Sequence, residues 1–221
     1  MSLSVAVVLI SPYYITSFIP SEIQLGSVLG KGGYCTVSEV KKITLVNDNP
    51  TEPAAPKSAP RDEHDDDLAY NDELVSSFGS MHITQDRKYM ATRYLRHGKD
   101  ARYAVKILSD DIKDDSQRFI AGVVDLAMEA KFLAFIRHPN IVKMRGMANL
   151  TPFEPGFFIV LDRLYDTLSE RFKEWNKRAS QLKGLGRMMD RKGEKKKEFL
   201  FDRFLVALDL SSALGFLHSN K

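Results

Sequence analysis

A glycine-rich segment near the N-terminus has the composition of a phosphate-binding turn. It reads Leu29-Gly30-Lys31-Gly32-Gly33-Tyr34-Cys35-Thr36-Val37. Glycines between two strands allow backbone N–H groups to approach phosphate oxygens without a Cβ in the way. Glycine-rich turns are common, so this segment alone is a weak signal. A dinucleotide-binding fold would need a helix directly after the glycines, and a P-loop would end in Gly-Lys-Ser/Thr. A strand pattern follows here instead, and that ending is missing, so neither site is indicated.

Lys106 is a charged residue inside the apolar strand pattern Ala104-Val105-Lys106-Ile107-Leu108. A buried ammonium group needs a partner. Glu129 has apolar neighbours on a predicted helix, so its carboxylate could be that partner. Each residue also has an ordinary interpretation. Lys106 could point to water from an edge strand, and Glu129 could lie at the boundary of an amphipathic helix.

Composition is that of an ordinary globular protein. Of the 221 residues, 43% are hydrophobic and 28% are charged, and the net charge is +3, which indicates no strong preference for polyanions. The single cysteine, Cys35, excludes an internal disulfide framework and a cysteine-based zinc site, and fits a reducing intracellular compartment. Residues 1–21 carry no charged side chain, and their apolar run at 5–10 is too short for a membrane span. We expect an edge strand or a loose N-terminal segment there, with a targeting role as the alternative.

Hydrophobic periodicity predicts a mixture of strands and helices. Residues 22–46 alternate as two strands joined by the glycine-rich turn. Three further strands are predicted at residues 103–108, 141–147 and 157–161. Residues 119–136 predict a helix whose apolar face carries Val123, Leu126, Ala130 and Leu133. Residues 199–218 predict a long amphipathic helix, with Phe201, Phe204, Leu205 and Leu208 on one face.

Two charged stretches do not have the pattern of ordered structure. Residues 47–80 contain nine acidic and two basic residues among Pro, Ala and Ser. They have too little apolar surface to offset the entropy of ordering, so we predict an acidic, disordered insertion over 47–85. Residues 171–198 contain eleven basic and four acidic residues, and three glycines argue against a continuous helix. We predict a basic insertion there, either solvated surface or a docking site for an acidic partner, including the acidic insertion.

In combination, these motifs resemble the small lobe of eukaryotic-type protein kinases over about residues 22–46 and 103–218. The glycine segment is similar to the pattern Gly-x-Gly-x-x-Gly-x-Val, with matches at Gly30, Gly32 and Val37. Cys35 stands where the third glycine usually falls, and Gly33 could partly compensate. Ala104-Val105-Lys106 resembles the Ala-x-Lys of the third kinase strand.

The later part of the chain continues the resemblance. Glu129 precedes His138-Pro139-Asn140 by the spacing expected of the glutamate in the kinase C-helix. Residues 157–164 resemble the fifth strand running into the hinge. Residues 199–218, which end in Ala213-Leu214-Gly215-Phe216-Leu217-His218, resemble the large-lobe helix just before the catalytic loop.

The resemblance implies an α+β fold. It would be a protein kinase-like small lobe, built from an antiparallel sheet plus the C-helix, followed by the first helices of the large lobe. Residues 22–46 would form the first two strands with the glycine-rich loop. Residues 86–164 would form the rest of the small lobe and the hinge. Residues 165–221 would begin the large lobe and contain the basic insertion.

The resemblance also implies that ATP binds to this lobe. Lys106 would hold the α- and β-phosphates and pair with Glu129 in the ATP-bound state. The residues implied to contact ATP are Leu29, Gly30, Lys31, Gly32, Gly33, Val37, Ala104, Lys106, Leu161, Asp162 and Leu164. Val37 and Ala104 would line the adenine, and Leu161 would be the gatekeeper. The backbones of Asp162 and Leu164 would hydrogen-bond the adenine edge. Leu133 and Met144 would give the small-lobe half of a hydrophobic spine.

The resemblance stops before the catalytic loop. A His-Arg-Asp motif would begin shortly after His218, and the sequence ends at Lys221. The catalytic aspartate and the ligands of the Mg²⁺ cofactor are therefore matched by no residue of this sequence, so we assign no metal site within it. We expect this truncated chain alone to transfer no phosphoryl group.

The leading hypothesis is an ATP-dependent Ser/Thr protein kinase, a transferase whose full-length parent acts on protein substrates. We expect no nucleic-acid partner, no clear membrane association and a location in the cytoplasm or nucleus. The alternative is a catalytically inactive nucleotide-binding or scaffolding module, similar to a pseudokinase. A generic domain of helices and strands with coincidental motifs is the third possibility.

Overall fold

The structure is a computed structural model that describes residues 15–46, 85–181 and 193–219. The chain divides into two compact units. The first comprises Met1–Phe135 and Lys143–Arg163, and the second comprises Ile136–Val142 and Leu164–Lys221. The apolar run at 5–10 and the acidic stretch at 47–80 lie outside the described residues.

The first unit is a mixed α+β unit. Its strands are β1 (Ser17–Phe18), β2 (Ile23–Lys31), β3 (Cys35–Ile43), β4 (Leu95–Arg96), β5 (Asp100–Ala101), β6 (Tyr103–Leu108), β7 (Met144–Ala148) and β8 (Phe158–Asp162). Its helices are α1, over residues 85–92, and α2 (Ser116–Phe135). The strands predicted around the glycine-rich turn and at 103–108, and the helix predicted at 119–136, are confirmed.

Six strands form the main sheet, in the order β1-β7-β8-β6-β3-β2. Four of its five pairings are antiparallel, and β1 runs parallel to β7. The sheet is therefore mixed, whereas the sequence predicted an antiparallel one. The difference comes from residues 17–18, which pair with the outer edge of β7 through hydrogen bonds such as that from the N–H of Met147 to the carbonyl of Thr16, 2.9 Å.

The core lies between the centre of this sheet and α2. Strand β6 is buried along most of its length, as its apolar sequence predicts. Helix α2 buries Gly122, Val123, Leu126 and Ala130. Three of these four belong to the predicted apolar face, and the fourth is a glycine at which a Cβ would lie 2.9 Å from Ile112. Leu133, the remaining predicted member, is half-buried.

Helix α1 was not predicted, and one buried ion pair explains its position. Arg87 of α1 pairs with Glu22, whose carboxylate is fully buried. The same carboxylate accepts backbone N–H groups from Ile19 and Val46, each at 3.0 Å. Burial of a carboxylate is tolerated here because several donors surround it. Glu22 therefore joins the N-terminal segment, the chain after β3 and α1.

The second unit contains two described helices, α3 (Leu168–Gln181) and α4 (Glu194–Ser219). The prediction that 171–198 lacks ordered structure is wrong for its described residues, because 171–181 lie in α3 and 194–198 lie in α4. Helix α3 also buries Trp175. The indole N–H of Trp175 donates to Asp202 of α4 at 3.3 Å. Gly193, which precedes α4, has a φ of +67° and allows the chain to enter the helix there.

Helix α4 confirms the helix predicted at 199–218. Its predicted apolar face remains exposed, including Phe201, Phe204 and Leu208. Within the same unit, His138 accepts the N–H of Asn140 at Nδ1, 3.1 Å, and its Nε2 lies 3.2 Å from the Ser212 hydroxyl. Its ring also lies against Phe216, with 5.0 Å between the ring centroids. These contacts tie the residues after α2 to α4 within the second unit.

Candidate functional site

The candidate site is one face of the main sheet in the first unit. Lys106 of β6 lies opposite Val37 of β3 and Ile159 of β8. Val37 in turn lies opposite Gly30 of β2. Directly opposed residues share a face of a sheet. Strand β3 alone therefore separates Gly30 from Lys106, with about 10 Å between these two residues at the usual strand spacing.

A second row of residues lies two positions further along these strands, and so on the same face. It contains Ala104 of β6, opposite Leu161 of β8 and Glu39 of β3. Met144 of β7 lies opposite Leu161 and is buried. The sheet register thus brings Val37, Ala104, Lys106 and Leu161 together on one surface.

Lys106 forms an ion pair with Glu129 of α2. Both side chains are partly buried, with 20% and 30% of their surface exposed. Solvent screens such a pair less than a fully exposed one. The contact expected between these two residues is present. Their role in binding a nucleotide stays a prediction.

The glycines of the turn are not required by the fold itself. A Cβ added at Gly30 or Gly33 would meet no atom within 4 Å, and neither residue has a φ in the left-handed region. The turn is closed by the N–H of Gly32, which donates to the carbonyl of Cys35 at 2.7 Å. Open space over a glycine backbone is the condition for close approach by an external group. Leu29 and Lys31, also predicted here, are exposed on β2.

Cys35 is buried at the start of β3, close to the Lys106–Glu129 pair. Burial raises the pKa of its thiol, and the positive charge of Lys106 opposes this shift. The carboxylates of Asp125 and Glu129 raise the pKa further. The thiol of Cys35 is therefore protonated at neutral pH.

The end of β8 is held by contacts that no sequence pattern predicted. Arg145 of β7 makes a two-pronged contact with the Asp162 carboxylate, with both N–O distances at 2.7 Å. This contact raises the pKa of Arg145. The N–H of Asp162 donates to the carbonyl of Lys143 at 3.0 Å. Leu164, the other predicted hinge residue, is exposed and belongs to the second unit.

A second missed contact links Arg163 to Glu39, with 2.7 Å between Nη1 and Oε2. A signal for it exists in the sequence. Glu39 is charged and stands two positions after Val37, so strand alternation places it on the same face as Val37. No residue pattern identified Arg163 as its partner, because the two lie far apart along the chain.

No cluster of three His, Cys, Asp or Glu residues that could hold a metal ion occurs within residues 15–46, 85–181 and 193–219. In this described part of the chain, no helix combines the length and the apolar character that crossing a membrane requires. No protein-family model matches the chain, and no curated protein matches it. Its function is therefore inferred from its residues and their geometry.

Proposed function

We propose that this chain is the ATP-binding part of a protein kinase and that its first unit is a kinase-like small lobe. The observation that carries the proposal is the ion pair between Lys106 and Glu129 on the face shared with Val37, Ala104 and Leu161. A lysine held by a helix carboxylate beside a glycine-rich turn is the arrangement that protein kinases use to hold ATP phosphates.

The phosphate end of ATP fits the glycine turn and Lys106. The open space over Gly30 and Gly33 would let phosphate oxygens approach the backbone. The Lys106 ammonium is a compact positive charge, and Glu129 fixes its direction. Both groups would bind the phosphates before and during reaction, so we assign them mainly to affinity and orientation.

The base end of ATP fits the second row of the same face. Ala104 and Leu161 are buried apolar residues in opposed positions, and Val37 lies two positions from their row. They would cover the flat, apolar surface of adenine. The backbone that follows Leu161 would hydrogen-bond the base edge, and the Arg145 contact keeps Asp162 in place.

When bound, ATP would supply the γ-phosphoryl group for transfer to Ser or Thr of a protein substrate. The residues assigned above contact the nucleotide, and this chain is assigned no role in holding the Mg²⁺ that the chemistry uses. Its contribution under the proposal is to bind and orient the nucleotide.

Nucleotide binding by the full 221-residue chain tests the proposal. We expect Lys106→Met to weaken ATP binding by about tenfold or more, since a charge-assisted contact is lost, and Glu129→Gln to weaken it less. Lys197→Met is the matched control, because Lys197 forms an exposed ion pair with Glu194 within α4 of the second unit. Absence of ATP binding by the wild type, or equal affinity of wild type and Lys106→Met, would overturn the proposal.

A further inference from the structure

Glu39 lies opposite an irregularity in β2. The register pairs Leu25 with Val40 and Val28 with Ser38, so two residues of β2, Gly26 and Ser27, oppose Glu39 alone. This is the arrangement of a β-bulge. The Glu39 carboxylate accepts the N–H of Ser27 at 3.2 Å. A Cβ on Gly26 would lie 2.7 Å from Cγ of Glu39, so the glycine makes room for this side chain.

The other oxygen of the same carboxylate binds Arg163. The Oε2 of Glu39 lies 2.7 Å from Nη1 of Arg163, and the two side chains are 24% and 18% exposed. The N–H of Arg163 also donates to the carbonyl of Arg102 at 2.9 Å. One side chain on β3 thus binds β2 on one side and the residue after β8 on the other.

The two contacts of Glu39, with Ser27 and with Arg163, lie beside the phosphate end and the base end of the proposed nucleotide site. Ser27 precedes the glycine-rich turn on the same strand, and Arg163 directly follows Asp162. Glu39 itself lies opposite Ala104, on the face assigned to the base. Because Glu39 already fixes these two segments relative to each other, a ligand that contacts both of them has less of the protein to order when it binds.

We propose that Glu39 is a positioning residue, which through Arg163 couples the phosphate-binding turn to the base-binding segment. This inference rests on the proposed ATP site. It predicts a specific pattern of affinities. Ligands that contact one end only, adenosine or inorganic triphosphate, do not depend on the coupling. ATP contacts both ends and does depend on it.

The test compares wild type, Glu39→Gln, Arg163→Met and the double variant in the 221-residue chain. Glutamine keeps an oxygen for the Ser27 N–H and removes the charge that binds Arg163. Glu174→Gln is the matched control, because Glu174 forms an ion pair with Arg178 that is nearly half exposed on α3. Dissociation constants are measured for ATP, adenosine and triphosphate, together with unfolding temperatures.

We expect each single variant to weaken ATP binding about fivefold or more, and to leave adenosine and triphosphate binding within about twofold. The double variant should be no weaker than either single one, because both remove the same contact. Equal loss for all three ligands, or no loss for ATP, would overturn the coupling role while the proposed ATP site stands. Failure of the wild type to bind ATP would overturn both.

Discussion

The ring of Phe18 lies against the backbone of Gly146, so that a Cβ at position 146 would come within 2.9 Å of the ring carbon Cε2. The same Cβ would lie 2.7 Å from the carbonyl oxygen of Thr16. Phe18 is completely buried. The short strand β1 can therefore pair with β7 only because residue 146 has no side chain.

We expect Gly146→Ala to destabilise the chain by about 1–3 kcal/mol, since the new methyl group overpacks the contact with Phe18 and Thr16. Gly215→Ala is the control, because a Cβ at that position of α4 meets no atom within 4 Å. Alanine is the better helix former, so this control should be neutral or stabilising by up to about 1 kcal/mol. Denaturant unfolding measures both. Equal stability of the two variants would contradict the packing of β1 on β7.

The buried ion pair between Arg87 and Glu22 gives a second stability prediction. Arg87→Met would leave the buried Glu22 carboxylate without its counter-charge, at a cost of about 3–5 kcal/mol. Arg93→Met is the comparison, because Arg93 is exposed and its guanidinium lies 5.4 Å from the Tyr89 ring centroid. Denaturant unfolding again supplies the measurement. A loss below about 1 kcal/mol would show that α1 is not held by this pair.

The parts of the fold that follow local periodicity could be predicted from the sequence. The strands on either side of the glycine turn, β6 and α2 each show the period of their element. Helix α3 could not be predicted in this way, because its sequence is dominated by charge. It is stabilised by a contact distant in sequence, in which Trp175 is buried and donates to Asp202. Strand β1 likewise depends on space beside Gly146.

The candidate site likewise contains residues that the sequence could indicate and residues that it could not. Lys106 stood out because a charge inside an apolar strand pattern needs a partner if it is buried, and the resemblance implied Glu129 as that partner. Arg145 and Arg163 gave no such signal, since charged residues near strand ends usually face water. Their contacts with Asp162 and Glu39 depend on strand order, and no local pattern encodes that order.

The pKa of the Cys35 thiol depends on the charges of Lys106 and Glu129. Burial raises its pKa, so we expect alkylation near pH 8 to be much slower than that of an unfolded control peptide, and to rise only at higher pH. Removing the positive charge with Lys106→Met should raise the pKa further, and Glu129→Gln should lower it. Because Cys35 is the only cysteine, mass spectrometry of the whole protein measures the rate. If Lys106→Met lowered the pKa and Glu129→Gln raised it, Cys35 could not lie beside these two charges as it does in the structure.

The glycine turn can be tested separately from stability. Gly33→Ala introduces a methyl group into open space, so the unfolding free energy should change by less than about 0.5 kcal/mol. If phosphates approach this backbone, the same methyl group should weaken ATP binding severalfold. Isothermal titration would measure the affinity, with Gly215→Ala as the control for a glycine outside the turn. Unchanged ATP affinity in Gly33→Ala would exclude close phosphate contact at residue 33.

Glu22 also holds together two segments that lie far apart along the chain. Its Oε1 accepts both the N–H of Val46 and the guanidinium of Arg87. The residues after β3 and helix α1 therefore meet at one buried oxygen atom. Substitutions of Glu22 and Arg87 should consequently be non-additive in their effect on the free energy of unfolding, because both disrupt the same junction.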